Sequence, residues 1–334
     1  MQVLVAPDSF KGTFSAARVA AHVAAGIRGA GGGAVELPVA DGGEGTYEIL
    51  CAALGAETVL VETVGPWRDP LTAAFGLAGR TAVIGLASAS GLTLPAPGPR
   101  DPLAADTYGT GILLAEAVRR GAEQLVVAAG GSATTDGGTG AVAAIEDRGG
   151  LGAARITVLS DVTTVFEDAA VVFGPQKGAD PGQVDELTAR LHLQAAAFPR
   201  DPRGVLRTGA AGGFSGGLWA HYGAELVSGA DFILDAVGFD RHAAEADAII
   251  VGEGRLDSQT GQGKIISAIL GRNPGRPVYA VVGSVGAELG SYARNFAGII
   301  VAGDEPGFQA AGAEVAARLS PAGKTGPAGP ALLR

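Results

Sequence analysis

The sequence predicts an α/β fold with two α/β domains. One is an open parallel-sheet domain of the Rossmann or flavodoxin-like kind, built from both chain ends, and the second is a mixed-sheet domain inserted between them. Three observations predict it. Val3-Leu4-Val5-Ala6 and Ala248-Ile249-Ile250-Val251 are unbroken apolar runs, as in strands buried on both faces of a parallel sheet. Both give way at once to polar, glycine-bearing loops with helical spacing beyond them. Between these ends, Thr58–Val64, Thr72–Leu77 and Thr81–Leu86 are short strand-like runs separated by Gly65-Pro66 and Gly79-Arg80, the pattern of an antiparallel meander. The expected domains are 1–63 plus 243–320 and the insert 64–242. The Gly-, Pro- and Ala-rich stretch 321–334 reads as a disordered tail.

In chain order, Ser15 is placed to cap a helix whose Val19, Val23 and Ile27 share one face. Val35–Val39 is the expected second strand, followed by a helix with Tyr47, Leu50, Cys51 and Leu54 inward and stopped at Gly55. Tyr108–Arg120 is helical, with Arg119 and Arg120 suiting its C-terminus. Leu125–Ala129 is a buried strand running into Gly130-Gly131-Ser132-Ala133-Thr134, and Ile156–Ser160 is another, running into Asp161. Val184, Leu187, Leu191, Ala195 and Phe198 mark a helix between Pro181 and Pro199. Val278–Val282 and Ile299–Ala302 read as further parallel strands, and a helix with Phe308, Ala311, Val315 and Leu319 inward closes the fold.

Composition narrows the function. The chain has 334 residues, 47% of them hydrophobic, and a net charge of −10, which argues against nucleic acid or acidic membranes as partners. No apolar run approaches the roughly 20 residues of a membrane span, and no leader precedes Val3, so the expected location is the cytoplasm. The single cysteine, Cys51, fits a reducing compartment, and the four histidines lack metal-ligand spacing. Lysine is rare. Lys11, Lys177 and Lys264 fall in glycine-flanked polar loops, where a compact, flexible charge suits phosphate.

Dinucleotide and P-loop fingerprints fail: Gly252-Glu253-Gly254 lacks a third glycine, and Gly263-Lys264 is followed by isoleucine. Gly213-Phe214-Ser215-Gly216-Gly217 matches the nucleophile elbow of serine hydrolases, with Asp231, Asp235 and His242 downstream. The strand that motif requires is missing before it. Acidic glycine loops plus lysines remain, an inventory that suits phosphoryl transfer, whose catalysis is positioning plus charge neutralisation. Asp41, Glu44, Asp161, Glu253 and Asp257 are carboxylates available to Mg²⁺.

Five stretches resemble the bacterial type I glycerate kinases, in family order and across nearly the whole chain. They are Ala6–Gly12 (APDSFKG), Ala40–Thr46 (ADGGEGT), Gly130–Thr134 (GGSAT), Val172–Gly178 (VFGPQKG) and Gly252–Thr260 (GEGRLDSQT). The resemblance implies ATP- and Mg²⁺-dependent phosphorylation of D-glycerate, at the 2-hydroxyl, giving 2-phosphoglycerate. On the positions that match, the expected catalytic residues are Asp8, Lys11, Asp41 and Arg255, with Asp41 or else Asp8 as base. Ser9, Gly42, Gly43, Glu44, Asp257, Gln259 and Thr260 are expected at the substrate. Gly130, Gly131, Ser132, Thr134, Asp136, Lys177 and Lys264 are expected at the nucleotide, and Asp161 and Glu253 at the metal. Two other readings share these residues: a kinase for a related small hydroxy acid, and a non-catalytic nucleotide or metabolite binder. The chain departs from the family pattern at Gly85, Ser88, Thr135 and Thr163–Val165 and is short between Ile145 and Ile156. Oligomeric state has no signal in the sequence.

Overall fold

A computed structural model describes residues 1–96, 98–257, 265–286 and 289–320. Its strands are β1 (Gln2–Pro7), β2 (Gly33–Glu36), β3 (Glu57–Val64), β4 (Pro70–Ala78), β5 (Thr81–Gly85) and β6 (Gln124–Ala128). They continue with β7 (Arg155–Ser160), β8 (Glu225–Ser228), β9 (Ala248–Leu256), β10 (Val278–Val285) and β11 (Gly298–Val301). The chain divides into two compact units, Met1–Gly45 with the chain from Ala230 onward, and Thr46–Gly229. The second unit therefore begins before position 64, because β3 pairs along its whole length with β4 and belongs to that sheet. It ends before 242: the helices Gly229–Ala236 and Phe239–Glu245 go with the first unit.

The first unit carries a sheet of order β11-β10-β9-β1-β2 in which every pairing is parallel. Val3, Leu4, Val5, Ile249 and Val251 are fully buried, as strands covered on both faces must be. Ser15 caps the helix Ala16–Gly29 through its side chain, and Val19, Val23 and Ile27 lie inward. That helix packs on the helix Glu305–Leu319 through a reciprocal pair of glycines. A Cβ on Gly26 would lie 1.9 Å from the Gln309 carbonyl oxygen, and one on Gly312 would lie 2.0 Å from that of Val23. Phe308 fills the space beneath, edge-on to Phe10 and Phe14 at 5.1 and 5.3 Å. The second strand ends at Glu36, but Leu37 and Val39 still donate to Val5 and Pro7 of β1, so the pairing runs on past Pro38, whose nitrogen faces the open edge of the sheet.

The second unit has a mixed sheet, β3-β4-β5-β6-β7-β8, antiparallel from β3 to β5 and parallel from β5 to β8. The helix Thr46–Leu54 turns Ile49 and Leu50 inward, whereas Leu54 is exposed at its last turn. In the helix Pro181–Ala197 a capping box at Asp180 and Gln183 fixes the start, and Leu187, Leu191 and Ala195 are buried. Gly85 sits against Tyr47 and Ser88, a position with no room for a long side chain. The helix Thr139–Asp147 reaches β7 through a short turn, which accounts for the missing length after Ile145. Among the described residues no helix is long and apolar enough to cross a membrane.

Candidate active site

In the first unit the chain leaves β1 toward β2 on one side and β9 toward β10 and β11 on the other. This makes β1 and β9 the switch point of the sheet, outside whose carboxyl ends ligands bind. A cavity of about 520 Å³ lies there. Register delivers its lining: Pro7 pairs with Gly252 and the Asp8 N–H donates to the Gly252 carbonyl at 2.8 Å, so Asp8 and Glu253 emerge side by side. Asp41 arrives from the loop after β2, its carboxylate accepting the Gly43 N–H at 2.9 Å in an Asx turn. Ser9, Lys11, Arg255 and Asp257 complete the polar wall.

Asp8 and Asp41 are both buried. Burial raises the Asp8 pKa well above the usual carboxylate range; the Asp41 carboxylate and, less strongly, Glu253 raise it further, against the lowering effects of the Ser9 N–H and Lys11. The Ser9 N–H donates to Asp8 at 2.6 Å, while the buried Ser9 hydroxyl has no partner. The Arg255 side chain is mostly exposed, 3.5 Å from Asp257. Buried acids, an orphaned hydroxyl and two cations in one cavity are the materials for holding a small anion and taking a proton from it.

The second unit has its own polar centre, at the loop after β6. Ser132 forms an isolated bridge with Gly91, and Gly131 takes a positive φ of 73°. The Lys177 amine, 6% exposed, donates to the Ser132 hydroxyl at 2.9 Å and to the Thr134 carbonyl at 2.5 Å. Burial pulls its pKa down to about 8, with Asp136 opposing. The Thr134 hydroxyl is buried without a partner. Asp136 is committed inside the protein: its carboxylate accepts from the Thr107 N–H and hydroxyl and from the Gly138 and Gly140 N–H groups. It ties the starts of two helices together, a supporting place behind the loop rather than on its open side.

The structure thus gathers Asp8, Ser9, Lys11, Asp41, Glu253, Arg255 and Asp257 in the first unit. Gly42, Gly43 and Glu44 continue the Asp41 loop, with Glu44 exposed. Gly130, Gly131, Ser132, Thr134, Asp136 and Lys177 gather in the second, and Asp161 follows β7 there. Gln259, Thr260 and Lys264 lie outside the described residues. Ser215 is no exposed nucleophile: it is fully buried and donates to the Arg207 and Ala210 carbonyls. Its supposed partners Asp231 and Asp235 are engaged by Arg272. Sequence reasoning missed Thr107, Arg190 and Gln194. Their only signal was polar character in or beside apolar helices, which does not distinguish an inward polar residue from a solvated one.

A parallel-sheet unit with an acid–cation pocket at its switch point and a second unit bearing a lysine-anchored glycine loop define the class of two-unit α/β phosphotransferases. The chain belongs to the glycerate kinase family, whose model matches residues 3–149 and 146–320. It is 36% identical to a glycerate kinase of Halalkalibacterium halodurans, over 85% of this chain and 86% of that protein. It is 34% identical to the glycerate 2-kinase of Escherichia coli K12, over 87% of each. A crystal structure from Salmonella typhimurium LT2, provisionally described as glycerate kinase 2, superposes with a TM-score of 0.81 at 33% identity. That likeness covers 96% of this chain and 98% of that one.

Proposed function

We propose that the protein is an ATP-dependent glycerate kinase that transfers the γ-phosphoryl group to the 2-hydroxyl of D-glycerate, giving 2-phosphoglycerate. The observation that carries this reading is the pairing of buried Asp8 and Asp41 with Lys11 and Arg255 in one cavity. The Escherichia coli relative's name supports the 2-position. Lys11 and Arg255 hold the acid's carboxylate or the incoming phosphate, and the Ser9 hydroxyl, Gly42, Gly43, Glu44 and Asp257, with Gln259 and Thr260, orient the acid. Asp41 accepts the proton of the attacking hydroxyl; Asp8, whose pKa burial and Asp41 raise, keeps its own proton more readily and stays the silent partner. Gly130, Gly131, Ser132, Thr134, Lys177 and Lys264 take the nucleotide phosphates, with Asp136 supporting the loop.

Among the described residues no three acidic, histidine or cysteine side chains are arranged as a metal cage. Mg²⁺ needs only one or two carboxylates beside the phosphates of its nucleotide, and the gathering of Asp8, Asp41 and Glu253 in one pocket supports a cation there. Glu253, and Asp161 in the second unit, are the proposed ligands; Mg²⁺ would neutralise phosphate charge. The test is ADP release with D-glycerate, L-glycerate and related hydroxy acids, with phosphorus NMR of the product. Turnover of D-glycerate to 2-phosphoglycerate is expected. Turnover of another acid alone, or nucleotide binding with no turnover, would overturn it.

A further inference from the structure

Three consecutive carbonyls of the loop after β6, those of Thr134, Thr135 and Asp136, are each taken by a side chain from one short stretch of chain. Lys177 donates to Thr134, Arg190 Nη2 donates to Thr135 at 2.7 Å, and Gln194 Nε2 donates to Asp136 at 3.1 Å. Lys177 lies in the lead-in to the helix Pro181–Ala197, and Arg190 and Gln194, four apart, lie on one face of it. The other arm of the Arg190 fork donates to the Leu103 carbonyl at 2.8 Å, anchoring the guanidinium between two backbones. We propose that Arg190 and Gln194 are positioning residues for nucleotide binding: they grip the floor of the loop whose upper side presents Ser132 and the Lys177 amine.

The Thr134 and Thr135 carbonyls face side-chain donors rather than a strand or helix ladder, whereas the Asp136 carbonyl also accepts from the Thr139 N–H at 3.2 Å and the Thr139 hydroxyl at 2.8 Å. Without that grip the loop would have to find other donors for buried carbonyls, and the distance between Ser132 and Lys177 would no longer be fixed. Both gripping residues are kept at a cost. Arg190 Nε and Gln194 Oε1 are buried without partners, and among the described residues Arg190 makes no ion pair. A residue needed only to fill the helix face would do so more cheaply as leucine or methionine. The glycines respect the arrangement: a Cβ on Gly137 would come within 2.4 Å of Gln194 Oε1.

This inference rests on the reading of the Ser132 loop as the nucleotide site, and the experiment separates the two. ATP affinity and the KM values for ATP and for D-glycerate are measured for Arg190→Met, Arg190→Lys and Gln194→Met, with Ser132→Ala and Lys177→Met beside them. Arg190→Met is expected to raise KM for ATP about tenfold, as loss of a charged hydrogen bond does, with KM for glycerate within twofold. Arg190→Lys, which can still reach one carbonyl, is expected to recover part of the loss, and Gln194→Met to lose less than Arg190→Met. If Arg190→Met does not fold, Arg190→Lys and Gln194→Met decide. Equal rises in both KM values, or unchanged ATP affinity in the Arg190 and Gln194 variants while Ser132→Ala and Lys177→Met weaken it, would overturn the positioning role. Unchanged ATP affinity in Ser132→Ala and Lys177→Met would instead overturn the nucleotide site itself.

Discussion

The Lys177 amine lies 2.9 Å from the Ser132 hydroxyl, and 45 residues of chain separate the two. Because burial disfavours the ammonium, its pKa falls to about 8 from an ordinary 10.5. The amine is charged at neutral pH and loses its charge as pH rises through about 8. If it meets nucleotide phosphate, kcat/KM for ATP should be flat below that point and decline above it. Lys177→Arg, which stays charged, should abolish the alkaline decline even if it lowers the plateau. The sign for folding is opposite: between about 8 and 10.5 the unfolded chain binds the proton that the native state has released, so stability should rise across that window.

Asp8 gives a second pH-dependent test. Its raised pKa means that, between the unfolded and the native values, the native state holds a proton the unfolded chain has lost, so stability falls as pH rises across that window, a cost that comes from burying an ionisable group. Asp8→Asn removes that cost and should raise Tm near neutral pH on the order of 2 °C. Asp41→Asn, which removes the proposed base, should lower kcat at least about a hundredfold with the fold intact. A variant that keeps near-normal turnover at Asp41 would remove it from the mechanism.

The helix pair of the first unit makes a stability prediction that is independent of function. Gly26→Ala drives a methyl into the Gln309 carbonyl, and Gly312→Ala drives one into that of Val23. Each should destabilise by about 1–3 kcal/mol, read as a lowered urea midpoint. Gly29→Ala, at the exposed end of the same helix with nothing within 4 Å of its Cβ, should instead gain roughly 0.5–1 kcal/mol.

Much of this architecture is legible in the sequence. Buried parallel strands announce themselves because both faces are covered, so Val3–Ala6 of β1, Ala248–Val251 of β9 and Val278–Val282 of β10 are unbroken apolar runs. Ser15 is recognisable as a cap because a cap works through local chemistry alone. The residues at the Asp8 and Ser132 loops stand out because polar side chains and glycines interrupt apolar runs. Elements whose place is set by distant partners do not announce themselves. That β3 belongs with β4, moving the unit boundary to Gly45, depends on pairing across a turn. Arg190 and Gln194 look like solvated helix residues until the carbonyls they reach are in place, and Asp136 looks like a ligand until Thr107 closes on it.

The Gly213–Gly217 motif offers a last discriminating experiment, because it satisfies a catalytic pattern without the geometry. Ser215 lies in the first turn of the helix Phe214–Tyr222 and spends its hydroxyl on the Arg207 and Ala210 carbonyls. The surrounding glycines have a packing cause: a Cβ on Gly213, Gly216 or Gly217 would strike Phe166 or the Gly137 backbone. Ser215→Ala should therefore cost only about 0.5–1.5 kcal/mol of stability, because the Arg207 and Ala210 carbonyls keep the Ala210 and Ser215 N–H groups as donors, while turnover well below Tm stays within about twofold. A fluorophosphonate probe should leave Ser215 unlabelled in the native protein. Labelling there, or loss of kinase turnover by more than about tenfold in a folded Ser215→Ala variant, would mean that the hydroxyl reaches a reacting atom, which its buried hydrogen bonds do not permit.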